Sequence, residues 1–161
     1  MLKKIVCACI LSLLFHHAAS ALMVKLDLET LTKNANVAVR ARVESIRCSW
    51  DKDHHRIFTF AILAVTESIK GDPLTSSITV TYPGGKVGDI RLIVEDTPHF
   101  RPGEDVVVFL KNKNEEGLRE VYGWFQGKYT IENNLVLENR LPVRTFINRI
   151  KSIVAHERGE R

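Results

Sequence analysis

The chain has 161 residues, a formal charge of +4 and a hydrophobic share of 45%. Lys3 and Lys4 supply two of those charges, so the remainder is close to neutral and argues against a nucleic-acid partner. Of the three cysteines, Cys7 and Cys9 fall in the first ten residues and only Cys48 lies further on; an intrachain disulfide framework is excluded once the leader is gone.

The chain opens with Lys3-Lys4, an apolar run from Ile5 to Phe15 broken only by Ser12, and the small residues Ala18-Ala19-Ser20-Ala21. That is the three-part layout of a secretory signal peptide over residues 1–21. The run is too short to span a bilayer, which takes about 20 apolar residues. Cleavage after Ser20 or Ala21 satisfies the small-x-small rule, which places the protein in the periplasm or outside the cell. Residues 22–161 then form a single domain with no transmembrane segment, large enough to stand on packing without disulfides. Neither Cys7 nor Cys9 lies at the end of the apolar run, where a lipid-anchoring cysteine would sit.

Leu26, Leu28, Leu31 and Ala35 fit one face of a short helix, with Asp27 and Glu29 near its positive end. From Val37 the period changes to two. Val37, Val39, Ala41, Val43 and Ser45 alternate with Ala38, Arg40, Arg42 and Glu44, which predicts a half-buried strand. Asp51 to Arg56 is a polar hairpin tip, and Ile57–Ile69 is a second long strand with Phe58, Phe60, Ile62, Ala64 and Thr66 on one side. Lys70-Gly71-Asp72-Pro73 ends it. Ile78, Val80 and Tyr82 make a third strand, followed by Pro83-Gly84-Gly85 and a short strand over 90–94. Val106–Leu110 is a continuous apolar run, as expected of a strand buried on both faces. Segments 118–122, 125–131 and 135–137 complete a meander, with a hairpin turn at Asn133-Asn134. A C-terminal amphipathic helix over about 142–156 carries Phe146, Ile147, Ile150, Ile153 and Val154 on its apolar face. Pro142 suits its first position, and Arg144, Arg149 and Lys151 lie off that face. Short strands at regular intervals with a helix at each end predict a mainly β fold: a small antiparallel barrel, with an open sandwich as the competing geometry.

Several stretches carry a resemblance. They are Asn36 to Val43, the strand end Glu67-Ser68-Ile69-Lys70-Gly71, Tyr82-Pro83-Gly84-Gly85, the run from Phe100-Arg101-Pro102-Gly103-Glu104 to Leu110, and Gly127-Lys128-Tyr129. Together they resemble a group of uncharacterised exported bacterial proteins. That group is similar to the OB (oligosaccharide/oligonucleotide-binding) barrel of the netrin-like modules and tissue inhibitors of metalloproteinases (TIMP). The resemblance spans roughly residues 26–155 and implies an OB-like, netrin/TIMP-like barrel. Those inhibitors grip a catalytic zinc with an N-terminal cysteine, whereas either cleavage site here leaves Ala21 or Leu22 first, so that mechanism does not carry over.

The chemistry-bearing residues divide into four groups. His54 and His55, beside Asp51 and Asp53, have the right donors for zinc or copper, yet neighbours on a strand point to opposite faces and a solvated hairpin tip accounts for them. Pro83-Gly84-Gly85-Lys86-Val87-Gly88 lacks the Gly-Lys-Ser/Thr ending of a phosphate loop, and its glycines read as turn residues. Cys48 follows Arg47 and lies across the hairpin from His54 and His55; a plain strand thiol competes with a reactive one. Trp124, Phe125, Tyr129 and Trp50 read either as core or as a ligand face of the kind OB barrels use. Arg40, Arg42 and Arg91 nearby would favour an acidic or glycan partner. There is no Gly-x-Ser-x-Gly elbow, the carboxylates Glu95-Asp96 and Glu115-Glu116 read as solvated loops, and no cofactor is implied. The expected function is an exported non-catalytic module binding a protein or glycan in the extracytoplasmic space. The competing expectations are a protease-associated inhibitor, and an enzyme assembled from distant residues such as Cys48 with His99.

Overall fold

The computed structural model describes residues 24–71 and 75–159; the leader, its cleavage sites, Cys7, Cys9 and the Asp72-Pro73 turn lie outside them. In chain order the elements are α1 (Leu28–Asn34), β1 (Val37–Trp50), β2 (Ile57–Lys70), β3 (Ser77–Pro83), β4 (Gly85–Val87), β5 (Ile90–Leu92), β6 (Asp105–Leu110), a 3-10 turn (Trp124–Gly127), β7 (Lys128–Glu132), β8 (Leu135–Val136) and α2 (Val143–Glu157). The fold is mainly β: one antiparallel six-stranded sheet in the order β3-β2-β1-β6-β7-β8, a separate β4–β5 hairpin, a short helix near the N-terminus and a longer one at the C-terminus.

The alternation in β1 is the reason for its position. Val37, Val39, Ala41 and Val43 are buried on one face, while Ala38 is buried on the other. Register shifts at Ala38/Val39, Arg40/Ala41 and Val43/Ser45 mark irregularities, and such bulges bend a strand and increase its twist. The bent sheet wraps one core, which includes Val39, Val43, Leu63, Val80, Val106, Val108 and Leu110. In β6 the continuous apolar run is explained by a second core. Val107 and Phe109 point the other way, onto Leu31 of α1 and Phe146, Ile147 and Ile150 of α2.

The barrel is not closed. Segment 118–122, expected as a strand, instead spans the gap between β3 and β6 through isolated bridges, Val80 with Arg119 and Leu110 with Val121. Arg119 N donates to Thr79 O at 3.0 Å and Thr81 N to Arg119 O at 2.8 Å; on the other side Lys111 N donates to Glu120 O and Tyr122 N to Phe109 O. The Arg119 side chain is 6% exposed. Its Nη1 donates to the Lys111 carbonyl oxygen at 2.8 Å, its Nε finds no partner among the described residues, and burial pulls its pKa below the usual guanidinium value.

In β2 the inward set is Ile57, Thr59, Ala61 and Leu63, and the Phe58 and Phe60 set is half-buried outside. Arginines cover that outer row: Arg47 Cζ lies 4.8 Å from the Phe60 ring centre and Arg56 Cζ 5.6 Å from that of Phe58.

Asp27 caps α1, its Oδ1 accepting from Thr30 N at 2.7 Å. At the other end Lys70 Nζ donates to Thr32 O and Lys33 O and lies 3.3 Å from Glu157 of α2, so one cation satisfies helix carbonyls and ties both helices to β2. Pro142 is the N-cap of α2, one position before the helix. Among the described residues no helix is long and apolar enough to cross a membrane.

Phe109 is fully buried and packs edge-on against Tyr129 at 5.9 Å. A Phe109→Ala change should cost about 3–5 kcal/mol, read from denaturant midpoints; a loss under about 1 kcal/mol would show that the helix-side core is not what holds the sheet.

Candidate functional site

The exposed aromatics sit on a short ridge between β6 and β7. Sequence periodicity puts Phe125 at the start of a strand running to Ile131, but residues 124–127 form a 3-10 turn and the strand begins only at Lys128. Gly123 has φ 73° and Trp124 φ 58°. Positive φ is open to glycine and uncommon for a bulky side chain. A Cβ on Gly127 would fall onto the Tyr122 carbonyl oxygen, so the chain can rejoin the β6 edge only with glycine there. Phe125 N donates to Asp96 O at 3.1 Å. Gln126 clasps the incoming chain, its Oε1 accepting from Leu26 N and its Nε2 donating to Val24 O.

This turn pushes two aromatic rings outward. Trp124 is 46% and Phe125 47% exposed. They look into different depressions. Trp124 lines a groove of about 320 Å³ with Phe58, Tyr82, Pro83, Pro98 and Arg56. Phe125 lines one of about 520 Å³ with Leu26, Leu28, Lys128 and Tyr129. Tyr129 is partly committed to the core, its ring 4.7 Å from that of Phe146, and burial raises its pKa. Trp50 is half-buried at the end of β1 and stacks on His54 with ring centres 6.3 Å apart.

The arginines lie elsewhere. Arg40 makes a two-pronged contact with Asp105, Nη2 to Oδ2 at 2.5 Å and Nε to Oδ1 at 3.1 Å, which raises its pKa. Arg42 is exposed, and both line an open cleft of about 930 Å³ with His99, Arg101 and Lys128. Lys128 is already paired, lying 3.1 Å from Glu104 and 5.4 Å from the centre of the Phe100 ring. Arg91 belongs to neither surface and lines a separate pocket.

His54 and His55 are exposed at the hairpin tip. The Asp51 carboxylate beside them accepts from Arg56 N and His55 N, at 3.1 and 2.8 Å. The Arg56 backbone bond is the main cause of its lowered pKa. Among the described residues no group of three or more His, Cys, Asp or Glu side chains is placed to hold a metal ion.

Cys48, Thr59 and Tyr82 stand directly opposite one another across β1, β2 and β3. Thr59 Oγ1 donates to Gly84 O at 2.6 Å and lies 3.4 Å from Cys48 Sγ. With the threonine proton given to the carbonyl, its oxygen is left to accept from the thiol. Burial raises the Tyr82 pKa, with hydrogen bonding to the Phe100 backbone and Thr59 working the other way. A Cβ on Gly85 would come within 2.6 Å of Thr59 Oγ1 and 2.7 Å of Cys48 Sγ, so this glycine allows the backbone to lie against the row. Cys48 and His99 line one pocket of about 310 Å³, together with Lys86 and Arg91. The pocket draws on five separate segments; Cys48 and His99, which the sequence suggests as a distant pair, both fall in it, and the Gly84-Gly85 pair marks the close approach.

No protein-family model matches the chain, and no curated protein matches it.

Gly127→Ala should destabilise the protein by at least about 2 kcal/mol, measured by thermal or denaturant unfolding. Gly88→Ala, where an added Cβ meets nothing within 4 Å although φ is 59°, should cost about 1 kcal/mol. Equal effects at the two sites would show that the close approach at Tyr122 does not shape the ridge.

Proposed function

We propose that this chain is an exported binding module that engages a protein or glycan partner through the Trp124–Phe125 ridge. The observation that carries this reading is Trp124 itself, an indole half in solvent on a backbone with φ 58°. Such a conformation costs of order 1–3 kcal/mol. A small flexible residue would avoid that cost, so the indole's value lies in what it contacts outside the chain. Trp and Tyr side chains are the usual anchors of protein interfaces, and their flat faces suit sugar rings. The signal-peptide layout of residues 1–21 supports export. The bent antiparallel sheet is compatible with an open OB-like barrel, and the netrin/TIMP kinship rests on the sequence resemblance alone.

Two readings compete. A protease-associated inhibitor would use a different edge from the N-terminal cysteine of the TIMP pattern. An enzyme would use Cys48 with His99, and the one observation favouring it is that both line the same pocket. Cys48→Ser separates these readings: the binding module and the inhibitor keep full partner binding, while a thiol enzyme loses turnover.

Trp124→Asn provides the direct test, because asparagine tolerates positive φ. Released strain should offset the buried area lost, leaving stability within about 1 kcal/mol of the parent. Partners captured by the parent protein from the extracytoplasmic fraction should be lost or weakened about tenfold or more with the variant. Unchanged capture by a folded Trp124→Asn protein overturns the reading. Export is read separately: N-terminal sequencing of secreted material should find Ala21 or Leu22 first, and an intact Met1 there would remove the signal-peptide assignment.

A further inference from the structure

The β4–β5 hairpin stands apart from the main sheet and packs over β1 and β2, above the Cys48–Thr59–Tyr82 row. Between hairpin and row lies the pocket of about 310 Å³, at the small end of the roughly 300–1,000 Å³ typical of small-molecule sites. Its walls include Ile46, Leu92, Ile93 and Val94. Ile93 is 75% exposed, an apolar lip left uncovered.

The two cations lining the pocket are the unusual feature. Lys86 and Arg91 are directly paired across β4 and β5, and both are exposed. Like charges opposite one another destabilise a two-stranded ribbon. No carboxylate of the described residues forms an ion pair with either. The larger cleft differs, since there Arg40 and Lys128 are paired with Asp105 and Glu104. Two unneutralised cations beside an apolar pocket complement a molecule with an anionic head and an apolar body.

We propose that this pocket binds a small amphiphile, a medium-chain carboxylate whose chain lies along Ile46, Leu92 and Val94 and whose head pairs with Lys86 and Arg91. The site is separate from the Trp124 groove, although Tyr82 and Pro83 line both, and it does not depend on the function proposed above.

Cys48 in the pocket wall reports occupancy. The full chain is titrated with dodecanoate below its micellar range, and alkylation of Cys48 by iodoacetamide is followed by peptide mass mapping. Calorimetric titration reads affinity independently of the thiol. Saturable binding that slows Cys48 alkylation is expected. The half-point should rise about tenfold in the Lys86→Gln/Arg91→Gln variant and stay unchanged in Lys111→Gln, a cation outside the pocket. Acetate and dodecyltrimethylammonium should neither bind nor protect. The proposal is overturned if dodecanoate gives no calorimetric saturation, if it binds without slowing a reactive Cys48, if dodecyltrimethylammonium binds equally well, or if the double variant keeps the parent half-point.

Discussion

The start of β1, Val37 to Val39, has to be apolar on both faces, because both cores meet there. Val37, Val39, Ala41 and Val43 fill the inside of the bent sheet, while Ala38 faces the helices. The strand pairs with β2 on one side and β6 on the other, so its backbone is satisfied without water. Ala38 is fully buried in the helix-side core with Leu31, Val107, Phe109 and Phe146, where close packing leaves added volume costly. Polarity returns only where the faces run out of cover, at Arg40, which finds Asp105 on the next strand.

From that wall the surface features follow in sequence. β6 shares its second half with segment 118–122 and its first half with β7. The chain therefore has to leave the β6 edge after Tyr122 and rejoin it in the same direction at Lys128, with residues 123–127 looped out between. Gly123 and Gly127 permit the excursion, and the aromatic pair lies at its outer bend. The ridge is thus a by-product of how β6 divides its hydrogen bonds, set in place by the core beneath it. The β4–β5 hairpin is positioned in a similar way, by Gly84 and Gly85 closing onto Thr59 and Cys48.

The elements legible in the sequence are those whose periodicity is local. The two-residue alternation over 37–43 is a real strand, the unbroken run 106–110 is buried on both faces, and the apolar stripe from Phe146 to Val154 is the face of α2 that docks. Tertiary pairing is less visible. Segment 118–122 alternates like a strand, yet only isolated bridges hold it, because β6 has a single free edge to divide. In β2 both phases are apolar, and the aromatic set lost the interior to Ile57, Thr59, Ala61 and Leu63, with Arg47 and Arg56 covering the rings left outside. The exposure of Trp124 and Phe125 turns on two backbone angles that no side-chain pattern encodes. The facing of Lys86 and Arg91 depends on a hairpin register that the glycine-rich sequence around it leaves open.

The gap between β3 and β6 gives the molecule an uneven mechanical character. Elsewhere the long strands are held by ladders of successive pairs, interrupted only by the bulges between β1 and β2. Across the gap a handful of backbone bonds around Arg119 and Val121 stand alone, beside a guanidinium whose burial is only partly compensated. That seam is the place where the wall can open while the rest remains intact, so amide hydrogens at Thr81, Arg119 and Tyr122 should exchange with solvent well before those of β1. Water would reach the inner core through this slit, and the dry helix-side core behind Phe109 would be the last part to feel it.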